Sequence, residues 1–336
     1  MINILDNFKN VGQEIKNFKP DILVFCIDFD GTLTKIYKSP FDAVLENNYK
    51  KIIERIINIE NVFFCIVTGR EISDIIKIIS IDNNIIYSGN HGFEIKSFYK
   101  RIRLDFIYDG LKNYLPVLKD IFNKVSQIPI KNLIIENKKY SISLHYRILP
   151  HEDIKLLKDA VASVMDSNID YKRMFELKKG KKIIEIRPKI QWNKGKACDF
   201  IVKGLIAELS CNLTYNSHKL SNKQLDTNIN NNVSSDNNAN TESKNGIKNI
   251  LKICMGDDLT DETMFDKGDK YSFEFNPNLG VNSDLELNSN SDLKKINVKS
   301  INCIIGEKKS AADYYIHNFR QTYKVLENVA DCFVKL

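Results

Sequence analysis

The sequence predicts an α/β protein, a doubly wound parallel sheet carrying an inserted α+β module. Three observations support this. Four short apolar runs, Ile22–Ile27, Val62–Val67, 85–87 and 250–255, each end in polar or glycine residues, as fully buried parallel strands do. Isoleucines at helical spacing separate the first runs: Ile52, Ile53, Ile56 and Ile57, then Ile72, Ile75, Ile76 and Ile79. Strands that alternate with helices in this way build parallel sheets. Residues 105–187 follow a different pattern, with a helix over 111–125, strands over 131–135 and 140–147, a helix over 152–165 and a strand over 182–186. In the second of these strands Ile142, Leu144 and Tyr146 share a face. Two strand-and-helix units of this kind make a module suited to covering a site at the strand ends.

The expected divisions are 20–106 and 188–336 for the two parts of the sheet domain, with 107–187 between them. Two polar tracts, 212–246 and 276–300, are rich in Asn, Ser and Asp. They lack the apolar content to offset chain entropy and read as surface insertions.

Length and composition allow one large or two ordinary domains, since 43% of 336 residues are hydrophobic. The net charge of +6 comes from lysines spread along the chain. Such a distribution suits an anionic substrate, and no motif for nucleic acid accompanies it. The seven cysteines are odd in number and scattered, and Cys26, Cys65 and Cys254 lie inside apolar runs. They read as buried free thiols of a reducing compartment, not as a disulfide framework or zinc site. No signal-peptide core and no stretch long enough to span a membrane is present, so a cytosolic monomer is expected.

The most informative string is Asp28-Phe-Asp-Gly-Thr-Leu33, directly after the first apolar run. Ligands of open parallel sheets bind at the carboxyl ends of the strands. Asp28 and Asp30 are two apart, so an extended chain points them the same way. Two such charges require a cation or a shared proton. This suits an aspartate nucleophile beside a proton donor, with a hard metal between them. Gly256-Asp-Asp-Leu-Thr-Asp-Glu262 is a second acidic cluster after an apolar run. Mg²⁺ takes oxygen ligands and few protein carboxylates, which Asp28, the backbone carbonyl of Asp30 and Asp257 would satisfy. Helix capping by Asp258 or Thr260, ahead of a helix from Asp261, is an alternative use of the same residues. Thr68 ends the second run ahead of a helix, where donors suit an anion. Lys194, in Trp192-Asn-Lys-Gly-Lys196, supplies a cation, although taken alone it is one of 49 Lys and Arg residues.

The string at Asp28 resembles the first motif of the haloacid dehalogenase-like phosphatase superfamily, and Asp28, Thr68, Lys194 and Asp257/Asp261 follow the order of its four motifs. The resemblance implies a Rossmann-like core with a C2-type cap. It also implies that Asp28 is the nucleophile, Asp30 the general acid/base and Thr68 and Lys194 stabilisers of phosphoryl charge. Asp261 would position Lys194 or a metal-bound water. Glu136-Asn-Lys138, Ser143-Leu-His-Tyr-Arg147, Gly180-Lys181 and Glu185-Ile-Arg-Pro188 resemble the cap of trehalose-6-phosphate phosphatases. Gly89-Asn-His-Gly92 and Gly306-x-x-x-Ser310-x-Ala312 extend the resemblance in the core.

By that resemblance Glu136, Lys138, Arg147, Lys181 and Glu185 face glucose hydroxyls, and Gly69, Arg70 and His91 line the substrate site from the core. Cross-strand pairing of Arg147 and Arg187 with Glu136 and Glu185 is the structural alternative for the cap charges. His91 also suits shaping of a loop, and His145 reads as structural. Phe29 stands where the family often has tyrosine, and its side chain is expected to point away from the carboxylates. Only 27 residues precede Asp28, so a stand-alone phosphatase without a synthase domain is expected.

The implied activity is Mg²⁺-dependent hydrolysis of trehalose 6-phosphate through an aspartyl-phosphate. The rival readings are phosphatases of sucrose, glucosylglycerol or mannosylglycerate phosphates, a phosphohexomutase, or a non-catalytic sugar-phosphate-binding regulator.

Overall fold

The computed structural model describes residues 1–226, 247–265, 270–275 and 294–336, with side chains over 1–210, 247–265 and 295–336. The first half of the sheet domain contains β1 (Ile2–Asn3), α1 (Phe8–Phe18), β2 (Ile22–Ile27), α2 (Asn47–Ile56), β3 (Val62–Val67), α3 (Ile72–Ile79), β4 (Ile86–Gly89), β5 (Glu94–Ser97) and β6 (Asp105–Ile107). The insert follows with α4 (Leu115–Val125), β7 (Ile134–Asn137), β8 (Ile142–His145), α5 (His151–Asp166), α6 (Ile169–Met174), β9 (Phe175–Gly180) and β10 (Ile183–Pro188). The chain then returns to the sheet through α7 (Lys194–Asp226), β11 (Asn249–Gly256), β12 (Lys270–Phe275), β13 (Lys294–Ile305), β14 (Tyr314–Ile316) and α8 (Phe319–Val334).

Among the described residues the main sheet runs β1-β14-β13-β11-β2-β3-β4-β5-β6, with β12 paired to β13. Pairing is parallel from β1 to β4. It turns antiparallel at β5, β6 and β12. The expected doubly wound sheet is therefore present, with antiparallel additions. Both of its faces are covered. Leu23, Phe25 and Ile27 of β2 pack with Val11 of α1, Ile53 of α2, Ile75 of α3 and Leu326 of α8. Ile22, Val24 and Cys26 pack against Ile201 and Leu205 of α7. Cys26 pairs in register with Cys65 on one side and Cys254 on the other. All three thiols are buried and unpaired, as expected, and Cys211 lies outside the described side chains.

The insert forms a separate antiparallel sheet, β7-β8-β10-β9, backed by α4, α5 and α6. Ile142, Leu144, Ile184 and Ile186 face Leu118, Ile121, Leu157 and Val161 across its core. Two expectations shift. The first strand starts at Ile134, not at 131, because Asn132 takes a left-handed φ of 63° that ends extended pairing. β9 was not expected at all: its Phe-Glu-Leu-Lys-Lys-Gly segment buries only Phe175. Pairing with β10 along six residues holds it in place, and apolar alternation does not announce it.

The tract 212–246 was expected to be an insertion throughout. Instead α7 continues to Asp226, since extending an established helix is far easier than starting one. The rest of that tract, and 276–293 of the second, lie outside the described residues. Residues 294–300 belong to β13, where Ile296 and Val298 are buried between polar neighbours.

Candidate active site

The parity of β2 aims the first acidic residue. Ile22, Val24 and Cys26 face α7, so Asp28 continues toward the same side. The first residue of α7 is Lys194. Its Nζ donates to Asp28 Oδ1 and Asp261 Oδ1 at 2.7 Å each. Lys194 is 3% exposed and Asp261 0%. Asp261 braces the turn after β11, since its Oδ2 accepts the backbone N–H groups of Asp257 at 2.8 Å and Asp258 at 3.0 Å. Thr32 donates its hydroxyl to Asp28 Oδ2 at 3.2 Å. The Asp28 N–H bonds Met255 O at 3.0 Å, tying the ends of β2 and β11 together. Gly31 makes the approach of the two loops possible. Its φ is 89°, and a Cβ there would lie 2.0 Å from Asp257 Oδ2.

Asp258 Oδ1 accepts from the N–H and hydroxyl of Thr260, and only a short 3₁₀ turn, Asp261–Met264, follows. Capping therefore coexists with the acidic cluster.

Burial and the Asp261 charge push the Asp28 carboxyl well above its usual range, against the pull of Lys194. Burial also raises Asp261, again against Lys194, and it raises Asp257 to about 6 against the pull of Lys181. Burial opposes the charge on Lys194, but Asp261, Asp28 and Asp258 outweigh it and hold the ammonium well above its ordinary value. Asp28, Asp257 and Asp261 can each offer one carboxylate oxygen within 4.8 Å of the others. An all-oxygen, charge-rich donor set fits a hard divalent cation.

The core residues expected at the substrate diverge in placement. Thr68 is buried at the end of β3 and shares a cavity of about 150 Å³ with Asp28, Lys194 and Asp257. Gly69 gives room to an imidazole, since a Cβ there would lie 2.6 Å from His91 Cε1. Arg70 is spent on protein partners. It grips Asp30 through Nε at 2.7 Å and Nη2 at 3.0 Å, and also bonds Asp74 and the Pro40 carbonyl. Phe29 is fully buried, and the Arg70 guanidinium lies 5.7 Å from its ring centroid.

Ile142 and Leu144 of β8 face the cap interior, so Ser143 and His145 face the sheet domain. Across the ladder, Glu136, Ser143 and Glu185 lie in register on β7, β8 and β10. Lys138 Nζ sits 3.9 Å from Glu136 and 3.8 Å from Glu185. Each glutamate also has an imidazole partner: His145 Nε2 is 2.9 Å from Glu136, and His91 Nε2, from the core, is 3.0 Å from Glu185. Burial opposes ionisation of Glu185, but His91, Lys138 and Arg187 prevail and hold its carboxyl far below the usual range. Glu136 is lowered in the same way, by His145 and Lys138 against burial.

The structural alternative raised for the cap arginines is only partly realised. Arg187 approaches Glu185 to 3.9 Å, whereas Arg147 leaves Glu136 alone and donates to the carbonyls of Tyr37 and Lys181. Lys181 crosses to the core, where Nζ donates to Asp257 O at 2.9 Å and to the Asp257 carboxylate. Sequence reasoning missed His145 as the Glu136 partner. It also missed Tyr37 beside a cavity of about 110 Å³, and Lys308, which donates to Asp257 O. His145 carried a signal, the alternation of β8. Tyr37 and Lys308 carried none.

The family model described as trehalose-phosphatase matches residues 26–315. Trehalose-phosphate phosphatase B of Arabidopsis thaliana is 30% identical over 206 residues, covering 58% of this chain and 53% of that protein. The chain spans about half the length of the curated relatives it matches. Among solved structures, the C-terminal domain of C. albicans trehalose-6-phosphate phosphatase aligns with a TM-score of 0.61 at 21% identity, covering 96% of both chains. The C-terminal domain of a Candida albicans trehalose synthase regulatory protein aligns at 0.53 and 11% identity, covering 95% of this chain and 97% of that one. These likenesses show the fold. Among the described residues no helix is long and apolar enough to cross a membrane.

Proposed function

Because the chain belongs to the trehalose-phosphatase family, we propose that it hydrolyses trehalose 6-phosphate to trehalose and inorganic phosphate. The observation that carries this reading is the buried Lys194 bridge, 2.7 Å to both Asp28 and Asp261, at the carboxyl ends of adjacent parallel strands. It holds one carboxylate in the wall of a cavity, with its second oxygen accepting from the Thr32 hydroxyl.

Asp28 attacks phosphorus in line, forming an aspartyl-phosphate as the ester P–O bond breaks. Asp30 gives its proton to the leaving sugar oxygen. It then takes a proton from the water that attacks the phosphorus and frees Asp28. Both Asp30 oxygens accept from Arg70 in this structure, so Asp30 must turn from that clamp to serve. Lys194 and the Thr68 hydroxyl donate to the phosphoryl oxygens. Asp28, Asp257 and the carbonyl of Asp30 would hold Mg²⁺, which when bound supplies further positive charge to those oxygens. Glu136, Lys138, Glu185 and His91 present acceptors and donors to the distal glucose, and such a site rejects sugars that lack the matching hydroxyls.

The test is phosphate release from trehalose 6-phosphate, sucrose 6-phosphate, glucose 6-phosphate and mannose phosphates, with Mg²⁺ and with EDTA. A strong, EDTA-sensitive preference for trehalose 6-phosphate is expected. Preference for another sugar would overturn the cap assignments alone. Tight binding without release would favour the regulatory role named for the Candida albicans neighbour.

A further inference from the structure

Beside the catalytic cavity lies a second one, of about 260 Å³, whose wall joins the β9–β10 turn of the cap to the loop after β13. Lys179 and Lys181 reach it from the cap, Lys308 and Lys309 from the core, with Asp258 and Glu262 as its carboxylates. Both carboxylates already accept hydrogen bonds: Asp258 from Thr260 of its own loop, and Glu262 from the N–H of Ala311, in the loop after β13, at 2.8 Å. The four ammonium groups of the lining still outnumber its two carboxylates. Two of them, Lys181 and Lys308, converge from opposite domains on the Asp257 carbonyl, and Lys181 also donates to the Asp257 carboxylate. Cations gathered at one oxygen repel each other, and each retains donors that this oxygen cannot satisfy. A tetrahedral dianion offers the missing acceptors and the opposing charge.

We propose that this lysine-lined cavity is a second anion site, which takes inorganic phosphate on its way out of the active site. The assignment rests on the phosphatase reading, since phosphate is the product of that reaction. Lys181, Asp258 and Thr260 line both cavities, so the two are contiguous. Of the residues proposed to face the sugar, Glu136 lines the cavity on the side of Tyr37, Glu185 and His91 line the catalytic cavity and Lys138 lines both, and none of them lines this one. An anion without a sugar therefore fits here.

Calorimetric titration of inorganic phosphate into the Mg²⁺-supplied protein tests this without any turnover. Two phosphates per chain are expected. In the Lys308→Met, Lys309→Met double variant, one of them should bind at least about tenfold more weakly. The Lys308→Arg, Lys309→Arg variant should recover it, and glucose 6-phosphate should not displace it. Failure of the double variant to weaken any bound phosphate would overturn the site. Equal displacement by glucose 6-phosphate would overturn its assignment to the free product. Failure of the phosphatase reading appears separately, as absent phosphate release from trehalose 6-phosphate.

Discussion

In the core, three buried carboxylates, Asp28, Asp257 and Asp261, gather around one buried ammonium, Lys194. In the cap, two carboxylates, Glu136 and Glu185, share Lys138, and each has an imidazole besides. Lys181 reaches Asp257 from the cap but remains 46% exposed, so water screens much of its charge. The outcome is opposite in sign. The carboxyls of Asp28, Asp257 and Asp261 are pushed up, and those of Glu136 and Glu185 are held down. The core is short of positive charge and suited to receive a cation and a phosphoryl group. The cap is balanced and already presents ionised acceptors. On the proposed function, chemistry belongs to the first region and recognition to the second.

The largest effect should come from Asp28→Asn. Loss of the nucleophile should cut turnover of every phosphate ester by roughly 10³-fold or more. The change is close to isosteric and removes a like charge, so the melting temperature should hold or rise. Retained turnover, measured as phosphate release under single-turnover conditions, would remove Asp28 from its role and end the division between the regions.

The cap should respond differently. Glu185→Gln keeps the shape and removes the charge that His91 and Lys138 face. It should lower kcat/KM for trehalose 6-phosphate by roughly tenfold to a hundredfold. Hydrolysis of a small aryl phosphate, which does not need the cap acids, should stay near the native rate. An equal loss on both substrates would place Glu185 in the chemistry and merge the two regions.

The same contrast explains what was legible in the sequence. The core site rests on short strings fixed to strand ends. Once the run Ile22–Ile27 is read as a strand, Asp28 has only one place to go, and Lys194 opens the helix that covers that face. The cap site depends on register. Glu136, Ser143 and Glu185 align only through the pairing of β7, β8 and β10, and that pairing sets which cation meets which acid. Reading Arg147 and Arg187 as possible partners was chemically sound, but His145 on β8 and His91 from another domain stand nearer. β9 was missed because its partner strand, and not its own composition, makes it a strand. Lys308 was missed because nothing local marks a lysine whose acceptor is a carbonyl 51 residues away.

Stability should record the two balances with opposite slopes. A folded-state carboxyl raised to about 6, as at Asp257, binds its proton more tightly folded than unfolded. Stability then falls as pH rises from about 4 to about 6, and the cost persists above that. A divalent cation at the cluster offsets this cost. Glu185 and Glu136 are lowered, so their contribution is present above about pH 4.3 and lost as pH falls through their folded values. Thermal melts with and without Mg²⁺ should therefore show a gain of a few degrees near about pH 7 that vanishes toward about pH 4. The acid-side loss should be the same with or without the ion. A gain independent of pH would mean that the core carboxylates do not bind the cation.

The smallest effect is expected at Arg187. Its Nη1 stands 3.9 Å from Glu185 and its Nε 3.4 Å from the partly exposed Glu176. Among the causes that hold Glu185 ionised it ranks behind His91 and Lys138. A long, partly solvated contact of this kind is worth less than about 1 kcal/mol. Arg187→Gln should therefore leave the melting temperature nearly unchanged and kcat/KM for trehalose 6-phosphate within about threefold of native. His91→Asn removes the group at 3.0 Å and should cost more on both counts, because a buried carboxylate then loses its nearest partner. If the two variants prove equally damaging, the imidazoles do not set the balance of the cap. The pairing with arginine that the sequence suggested would then govern Glu185 despite its longer reach.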